Sequence, residues 1–280
     1  MPNNDATEVG YPVEGFPIKF EWLTNEWLQL FDEHVALIKS DIERAKADDR
    51  HVIYQSCPIS NRGGGFFGTN VEIAKATQFR LLNQLGSRFW ILNPAQYQME
   101  SKEGAGLIYR HAETLGIPRS TVDALPRPRG GDYMRMWTRV LVEDGDKNLG
   151  SDFDAYYFIG PRDTEQFFAL KDDSTTAGIE SYFARKLASD KDFAARFNVE
   201  EDWEELRKNF VRFYALRAGA NFSKGCHDEW NILVMLNALR VSQLRIGDQI
   251  AAFFDGVQVD LGALEKVGTP GYAISEQHLA

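Results

Sequence analysis

Cysteine is scarce in this chain of 280 residues, which has only two, Cys57 and Cys226. Two thiols are too few for the disulfide framework that holds small secreted domains together. The first twenty residues carry Asp5, Glu8 and Glu14, and they lack the basic stretch that opens a signal peptide. We therefore expect a cytoplasmic protein rather than a secreted one.

Long apolar runs and an excess of positive charge are also missing. Charged residues interrupt every apolar run well before about 18 residues, so no membrane span is expected. The formal net charge is −10, and the isoelectric point lies near 5.1. This balance argues against binding a nucleic-acid polymer, because a basic face supplies most of that affinity. A small anionic ligand is still compatible, since it needs only one local arginine or a helix N-terminus.

Apolar and charged residues make up 44% and 26% of the chain, as in an ordinary globular protein. A chain of this length suits one elaborated domain or two small ones. Four short apolar segments predict strands, at residues 51–56, 89–93, 153–160 and 249–255. Helical patterns alternate with them, which predicts an α/β fold with a mainly parallel sheet and flanking helices.

The segments between these strands suggest how the chain is divided. Residues 1–50 read as an N-terminal arm, to about residue 18, followed by a helical segment. Residues 51–160 and 221–260 are predicted to form the two parts of the α/β core. Residues 161–220 hold two or three amphipathic helices without a strand, which indicates a helical insertion that serves as a lid or an oligomer surface. Residues 261–280 read as a tail with little order.

Several helix starts can be predicted from capping residues. Asn25 is placed to cap within a helical pattern over residues 21–48, which predicts one or two helices. Thr69 and Glu72 have the spacing of a capping box before a helix over about residues 70–85. Asp132 is placed to cap a helix that runs to about residue 143.

The most distinctive stretch is the glycine-rich loop of residues 56–70, between the first strand and the next helix. Such a loop lies at the carboxyl end of a parallel strand, beside a helix N-terminus with free N–H groups. Gly63, Gly64 and Gly65 lack a Cβ atom and would let the backbone approach a ligand closely. The loop fits neither the dinucleotide-binding nor the Walker A pattern. A flexible surface turn is the alternative interpretation.

Other loops should meet this one at the same edge of the sheet, because the carboxyl ends of parallel strands share an edge. They are residues 160–163 and the loop before Glu229, an acid predicted in the first turn of a helix over about residues 230–239. A carboxylate there can act as a nucleophile or a general acid/base. Alternatively, it only complements the helix dipole. The Pro/Arg/Gly run at residues 126–131 is either a ligand-facing loop or a solvated connector.

Three short motifs resemble the nucleoside 2-deoxyribosyltransferase family and its nucleotide N-glycosidase relatives. Cys57–Ser60 follows a strand as that family's Gly-Pro-Ile-Ser opening does. Asp154–Pro161 is similar to its Ala-Asp strand. Gly225–Trp230 is similar to its Gly-Thr-x-x-Glu segment, in which the Glu opens the last core helix. The resemblance implies a Rossmann-like (flavodoxin-like) fold.

The resemblance also implies a site and a reaction. Glu229 would attack the anomeric carbon as the nucleophile, water or a second base would complete the exchange, and Asp154 would join it in the site. The family's acid about six residues before the Glu is absent: Ser223 stands there, and Asn221 would supply hydrogen bonds instead. Loop residues would line the sugar or phosphate site, with Arg62 as the partner of a 5′-phosphate: Ser56, Pro58, Ser60, Arg62, Gly63, Gly64, Gly65 and Asn70.

Three functions remain open at this point. The first is an enzyme, without a cofactor, that cleaves or exchanges an N-glycosidic bond of a nucleoside or nucleotide. The second is a non-catalytic module that senses a nucleotide or ADP-ribose-like ligand. The third is an interaction protein whose insertion builds a homo-oligomer.

Metal and thiol chemistry are weaker candidates. Residues 226–229 list four ligand types, but consecutive side chains on a helix point in different directions, so no metal site is predicted. A single cysteine such as Cys57 is more often a small buried apolar residue than a nucleophile.

Overall fold

The structure is a computed structural model that describes residues 6–61, 64–99, 101–145, 147–169, 175–197, 202–216, 223–243, 246–266 and 271–274. Its first elements are two strands, β1 (Thr7–Gly10) and β2 (Phe20–Leu23), which pair antiparallel as a separate two-stranded sheet. Between them, Val13, Phe16 and Ile18 are buried in the core. The predicted N-terminal arm is therefore wrong for residues 6–18, since apolar side chains fix this segment to the domain.

The first helix, α1 (Glu26–Ala47), begins later than the pattern over residues 21–48 suggested. Asn25 caps it as predicted, and its side chain accepts a hydrogen bond from the N–H of Trp27 at 2.9 Å. Residues before the cap lie in β2, because pairing with β1 satisfies their backbone groups.

The main sheet has five strands: β3 (His51–Ser56), β4 (Phe89–Leu92), β5 (Ala155–Phe158), β6 (Ala251–Phe254) and β7 (Val257–Gln258). Their order is β4-β3-β5-β6-β7, and all neighbours are parallel except β6 and β7. Helix α2 (Phe67–Leu85) connects β3 to β4. The predicted α/β class, the mainly parallel sheet and the β-α-β unit are confirmed.

Eight further helices are described, and they flank the sheet on both faces. Four of them fall in the region predicted as an insertion: α6 (Pro161–Phe168), α7 (Thr175–Ser189), α8 (Lys191–Phe197) and α9 (Trp203–Leu216). The others are α3 (Lys102–Thr114), α4 (Arg119–Ala124), α5 (Gly130–Val142) and α10 (Lys224–Gln243).

Alternate residues of the central strands feed two separate hydrophobic cores. Tyr54 and Tyr156 face one core, which also contains side chains of the β1–β2 sheet, α1, α5 and α10. Ile53 and Tyr157 face the other, which contains side chains of α2 and the aromatic residues of α7, α8 and α9. The strands are buried on both faces, which explains their nearly continuous apolar sequences.

Two predicted caps are corrected by the structure. Thr69 is the third residue of α2, where it is buried, so the helix begins before the predicted capping box. Asp132 is the third residue of α5, and its carboxylate accepts hydrogen bonds from the N–H groups of Arg129 and Leu23, both at 2.6 Å. It thus joins the start of α5 to β2. No helix in the described ranges has the length and apolar character to cross a bilayer.

Candidate functional site

A cleft of about 630 Å³ opens at the carboxyl end of β3. At this point the chain passes to β4 on one side of β3, while β5 pairs on the other side. Ligands of open α/β sheets bind where the strand order reverses in this way. Its lining includes Cys57, Ser60, Arg127, Trp137, Glu229 and Tyr272.

Glu229 lies on the floor of this cleft and is only 5% exposed. Both of its carboxyl oxygens have donors from β3: the Tyr54 hydroxyl donates to Oε1 at 2.8 Å, and the Ser56 hydroxyl donates to Oε2. Residues two apart on a strand project to the same face, so β3 presents both hydroxyls to the same carboxyl group. Glu229 and Ser56 were both chosen from the sequence as site residues, and in the structure they contact each other.

The position of Glu229 within its helix differs from the prediction. Helix α10 begins at Lys224, so Glu229 is its sixth residue and lies beyond the first turn. Ser223 precedes the helix, and its hydroxyl accepts a hydrogen bond from the N–H of Cys226 at 3.4 Å. The effect of the helix dipole is confined to the first turn. The alternative interpretation, that Glu229 only complements this dipole, therefore does not explain its position.

The environment of Glu229 shifts its protonation equilibrium. Burial raises the pKa of Glu229 from 4.5 to about 7, while the hydrogen bonds from Ser56 and Tyr54 lower it. Both the acid and the carboxylate are therefore populated near neutral pH. A carboxyl group with this property can serve as a nucleophile when ionised or as a proton donor when protonated.

Trp137 is a buried aromatic residue in the lining of the cleft. Its ring packs against that of Tyr54, with 5.9 Å between the centroids, and the residue is 1% exposed. Its indole N–H is buried and has no hydrogen-bond partner in the described part of the chain.

The glycine-rich loop contributes to the cleft through Ser60 and Asn61, which are among its lining residues. Asn70, predicted to bind substrate, instead supports this loop: its side-chain amide donates to the carbonyl oxygens of Ile59 and Ser60 at 3.2 and 3.0 Å. Pro58 is half-buried and is not among the lining residues. The predicted Arg62 and Gly63 lie outside the described residues.

Gly64 and Gly65 do permit a close approach, but to helix α9 rather than to the cleft. A side chain at Gly64 would overlap the backbone of Asn209, and one at Gly65 would overlap the ring of Phe213. Their predicted place in the ligand site is therefore corrected. These glycines are required because a helix of the insertion packs directly on the loop.

Tyr214 on α9 fastens the same loop by its hydroxyl group. This oxygen accepts a hydrogen bond from the N–H of Phe66 at 3.0 Å and donates to Oδ1 of Asn70 at 2.7 Å. The insertion thus holds the loop that forms one wall of the cleft. A contact between residues 144 apart in the chain gives no signal in the sequence.

Asp154 does not join Glu229. It precedes β5, at the amino end of the sheet, and its Oδ2 accepts a hydrogen bond from the N–H of Val52 at 2.7 Å. Ser56 lies four residues further along β3, roughly 13 Å away at about 3.3 Å per residue. The prediction that Asp154 belongs to the site is therefore wrong, because Asp154 lies at the amino ends of the strands and the cleft lies at their carboxyl ends.

The loop at residues 160–163 also stays outside the cleft. Asp163 accepts hydrogen bonds from the Tyr157 hydroxyl at 2.8 Å and from the backbone N–H of Gly160 at 2.9 Å, and it forms an ion pair with Arg80. Asn221 lies outside the described residues, whereas Ser223 is part of the cleft lining.

The two cysteines border the cleft as protonated thiols. Burial raises the pKa of Cys57 and that of Cys226 well above the ordinary value for a thiol. Cys57 is 7% exposed, and its sulfur lies 3.9 Å from Oδ1 of Asn93. This environment favours the interpretation of Cys57 as a small apolar residue over that of a nucleophile.

Sequence reasoning missed a second buried acid beside Glu229. Asp228 is 1% exposed, and burial raises its pKa to about 7. Its carboxyl oxygens accept hydrogen bonds from the backbone N–H groups of Tyr272 at 2.6 Å and Ala273 at 3.3 Å. The tail was predicted to have little order, yet this acid fixes part of it at the cleft.

The Pro/Arg/Gly run forms another part of the cleft wall, with Arg127, Pro128 and Gly130 in the lining. The indole N–H of Trp27 donates to the carbonyl oxygen of Pro126 at 2.7 Å and anchors the start of the run. Of the two interpretations of this segment, the structure favours a ligand-facing loop.

Within the described ranges, no three His, Cys, Asp or Glu side chains come together as metal ligands would. Comparisons with protein-family models, with curated proteins and with solved structures found no match to this chain. The function must therefore be argued from the geometry of the cleft.

Proposed function

We propose that this chain is an enzyme that cleaves or exchanges the N-glycosidic bond of a nucleoside or nucleotide, with Glu229 as the nucleophile. One observation carries the proposal: a buried carboxyl group, oriented by two hydroxyl donors, lies in a cleft at the reversal of the strand order. A carboxylate in such a site suits attack on an anomeric carbon, as in retaining glycoside hydrolysis.

The reaction would run in two steps. Ionised Glu229 attacks the anomeric carbon, the C–N bond breaks, and the base leaves with the bonding electrons and takes a proton from solvent. Water, or a nitrogen of a second base, then attacks the same anomeric carbon. The C–O bond to Glu229 breaks, which restores the carboxylate, and the proton of the attacking group passes to solvent. Tyr54 and Ser56 hold the carboxyl group in place throughout, and no cofactor takes part.

A Rossmann-like (flavodoxin-like) fold is part of the same proposal. Counted from β3, the strand order is 2-1-3-4-5, the order that flavodoxin-like sheets have. The last strand departs from that pattern because it is antiparallel. The helices α6 to α9 are then an insertion between the third and fourth strands of the core.

The test is release of free base from a panel of nucleosides, 5′-nucleotides and NAD, followed by chromatography with and without an acceptor base. We expect release by the wild type and none by Glu229→Gln, because an amide cannot form the glycosyl ester. Asp154→Asn is the matched control, since this acid lies at the other edge of the sheet, and it should keep the wild-type rate. Equal release by the wild type and Glu229→Gln would contradict the proposal.

A ligand-sensing module is the second candidate, and Ser223 is the observation that favours it. Ser223 lines the cleft at the position where the resemblance leads us to expect a second acid. A sensor needs no ionised nucleophile, so Glu229→Gln should leave its ligand affinity unchanged. Binding without base release in the wild type would select this candidate.

A homo-oligomer remains a separate proposal. Phe79 on α2 and Trp203 on α9 are large apolar side chains that are 69% and 42% exposed. Assembly would cover such surfaces. Sedimentation of the wild type beside Phe79→Ser and Trp203→Ser would test it, and an unchanged monomer in all three would contradict it.

A further inference from the structure

The ring of Tyr272 lines the cleft but has no role in the proposed reaction at Glu229. Tyr272 belongs to a short segment, residues 271–274, which we call the C-terminal strap. The strap packs against the core formed by the β1–β2 sheet, α1, α5 and α10. Tyr272 is half-buried and lines the cleft beside Glu229.

Three backbone hydrogen bonds fix the strap. Two are the bonds that Asp228 accepts from the N–H groups of Tyr272 and Ala273. In the third, the N–H of Ile274 donates to the carbonyl oxygen of Lys19 at 2.8 Å. A buried carboxyl group is costly unless it is hydrogen-bonded, so Asp228 gives this placement of the strap a strong energetic preference.

Two glycines are fitted to the strap. A Cβ atom at Gly271 would overlap the carboxyl group of Asp228, and one at Gly130 would overlap the ring of Tyr272. Gly130 is the first residue of α5 and lines the cleft as well. The absence of a side chain at residue 130 therefore lets the tyrosine ring lie at the cleft wall.

Aromatic side chains also form much of the remaining wall. The half-buried rings of Phe67, Tyr109 and Tyr133 belong to α2, α3 and α5, and all three line the cleft. A wall of this composition suits a planar ring, because aromatic side chains stack on such rings and exclude water from them.

We infer that Tyr272 is the residue that selects a ligand with a planar heterocyclic base, and that Asp228 positions it. The inference rests on the proposed function for the class of ligand, a nucleoside or nucleotide, but not for the chemistry at Glu229. Tyr272 provides the aromatic ring against which the base packs, and the Nζ atom of Lys224 lies over the same ring at 5.8 Å from its centroid. Asp228 acts through the strap, because its carboxyl oxygens accept hydrogen bonds from the backbone N–H groups of Tyr272 and Ala273.

The experiment measures calorimetric dissociation constants for adenosine, guanosine, cytidine, thymidine and ribose. All variants carry Glu229→Gln, which removes turnover. Tyr272→Ala should weaken the best nucleoside by about 5- to 150-fold, the range for loss of one base-stacking contact. Tyr272→Phe should stay within about 3-fold, because the ring is kept. The affinity for ribose should not change.

Asp228→Asn is tested in a double-mutant cycle with Tyr272→Ala. It should weaken nucleoside binding when Tyr272 is present and have no further effect once the ring is gone, since it acts through that ring. A general loss of structure would instead add to the effect of Tyr272→Ala. The hydrogen bonds of the C-terminal strap are donated by backbone N–H groups, so Tyr272→Ala keeps them. Tyr272→Leu provides a second variant, with a side chain of larger volume.

Three results would overturn the inference. No nucleoside binds, Tyr272→Ala binds nucleosides as tightly as the parent, or Tyr272→Ala lowers the affinity for ribose as much as the affinity for nucleosides. The proposed chemistry fails separately, when the wild type releases no base. Ring-dependent binding without release would therefore support the role of Tyr272 and leave only the sensing candidate.

Discussion

Removal of the Tyr54 hydroxyl should move the protonation equilibrium of Glu229. In Tyr54→Phe the ring still packs against Trp137 and Tyr156, but the 2.8 Å hydrogen bond to Oε1 of Glu229 is lost. A hydrogen bond to a charged group contributes about 1.5–3 kcal/mol, and about 1.4 kcal/mol corresponds to one pKa unit. The pKa of Glu229 should therefore rise from about 7 to roughly 8 or 9.

The consequence for the reaction follows from the ionised fraction of the nucleophile. At pH 7 that fraction should fall from about a half to between about a tenth and a hundredth. The rate of base release should rise with pH in both proteins, with its midpoint near 7 in the wild type and one to two pH units higher, roughly, in Tyr54→Phe. Rates at high pH should converge, because both carboxyl groups are then ionised.

The assay need not depend on catalysis. The infrared band of the protonated carboxyl group, taken as the difference between each protein and its Glu229→Gln form, can be titrated from about pH 5 to about pH 10. Tyr156→Phe is the matched control, because its hydroxyl is buried and has no hydrogen-bond partner in the described residues. A midpoint in Tyr54→Phe that equals the control, or lies below it, would refute the reasoning.

Three further predictions concern stability and charge. The folded chain keeps the proton of Glu229 up to about pH 7, whereas the unfolded chain loses it near pH 4.5, so the free energy of unfolding should fall as the pH rises between these values. Urea titrations should show that this fall is smaller by about 3 kcal/mol in Glu229→Gln. Tyr214→Phe should lower the free energy of unfolding by about 1–3 kcal/mol, because the N–H of Phe66 loses its acceptor, and equal urea midpoints would contradict this. Arg127 is exposed, lines the cleft and forms no ion pair within the described ranges. Arg127→Gln should therefore weaken the binding of a 5′-nucleotide about 5- to 30-fold in calorimetry, and an equal loss of affinity for the nucleoside would refute an anion contact.

The sequence was informative where burial and chain direction decide the structure. Val52, Ile53 and Tyr54 give β3 apolar side chains on both faces, and its bounds, 51 to 56, could be predicted to the residue. Glu229 could be chosen because it follows the insertion and precedes the last parallel strand, which brings it to the edge where β3 ends. Tyr54 was not chosen, because in sequence it is only another apolar strand residue.

The errors have physical causes. Asp154 precedes β5, whereas Ser56 is the last residue of β3. Because the two strands are parallel, these residues lie at opposite ends of the strands. A loop was predicted immediately before Glu229, yet residues 224–228 belong to α10, and a Cβ atom at Gly225 would meet only ordinary contacts there. The start of that helix was therefore predicted six residues too late.

The strap could not be predicted at all from local pattern. Residues 261–280 have no periodicity, and Tyr272 is placed by Asp228, an acid 44 residues earlier in the chain. The sequence shows that both residues exist but not that they meet. Contacts of this kind depend on the finished core, which presents Asp228 and leaves the space beside Gly130.

The pairing of β3 with β5 has a consequence for the order of folding. Their register joins Ile53 to Ala155, about 100 residues apart, whereas β3 and β4 join His51 to Phe89. Closing the longer link costs about 1 kcal/mol more chain entropy, so the β-α-β unit should form first. Until β5 pairs with it, β3 has an unpaired hydrogen-bonding edge that includes five residues buried in the native state, and such an edge is a template for intermolecular pairing. Misfolded material from this chain should therefore be enriched in contacts of residues 51–56, and lower temperature or a lower rate of synthesis should raise the yield of native protein.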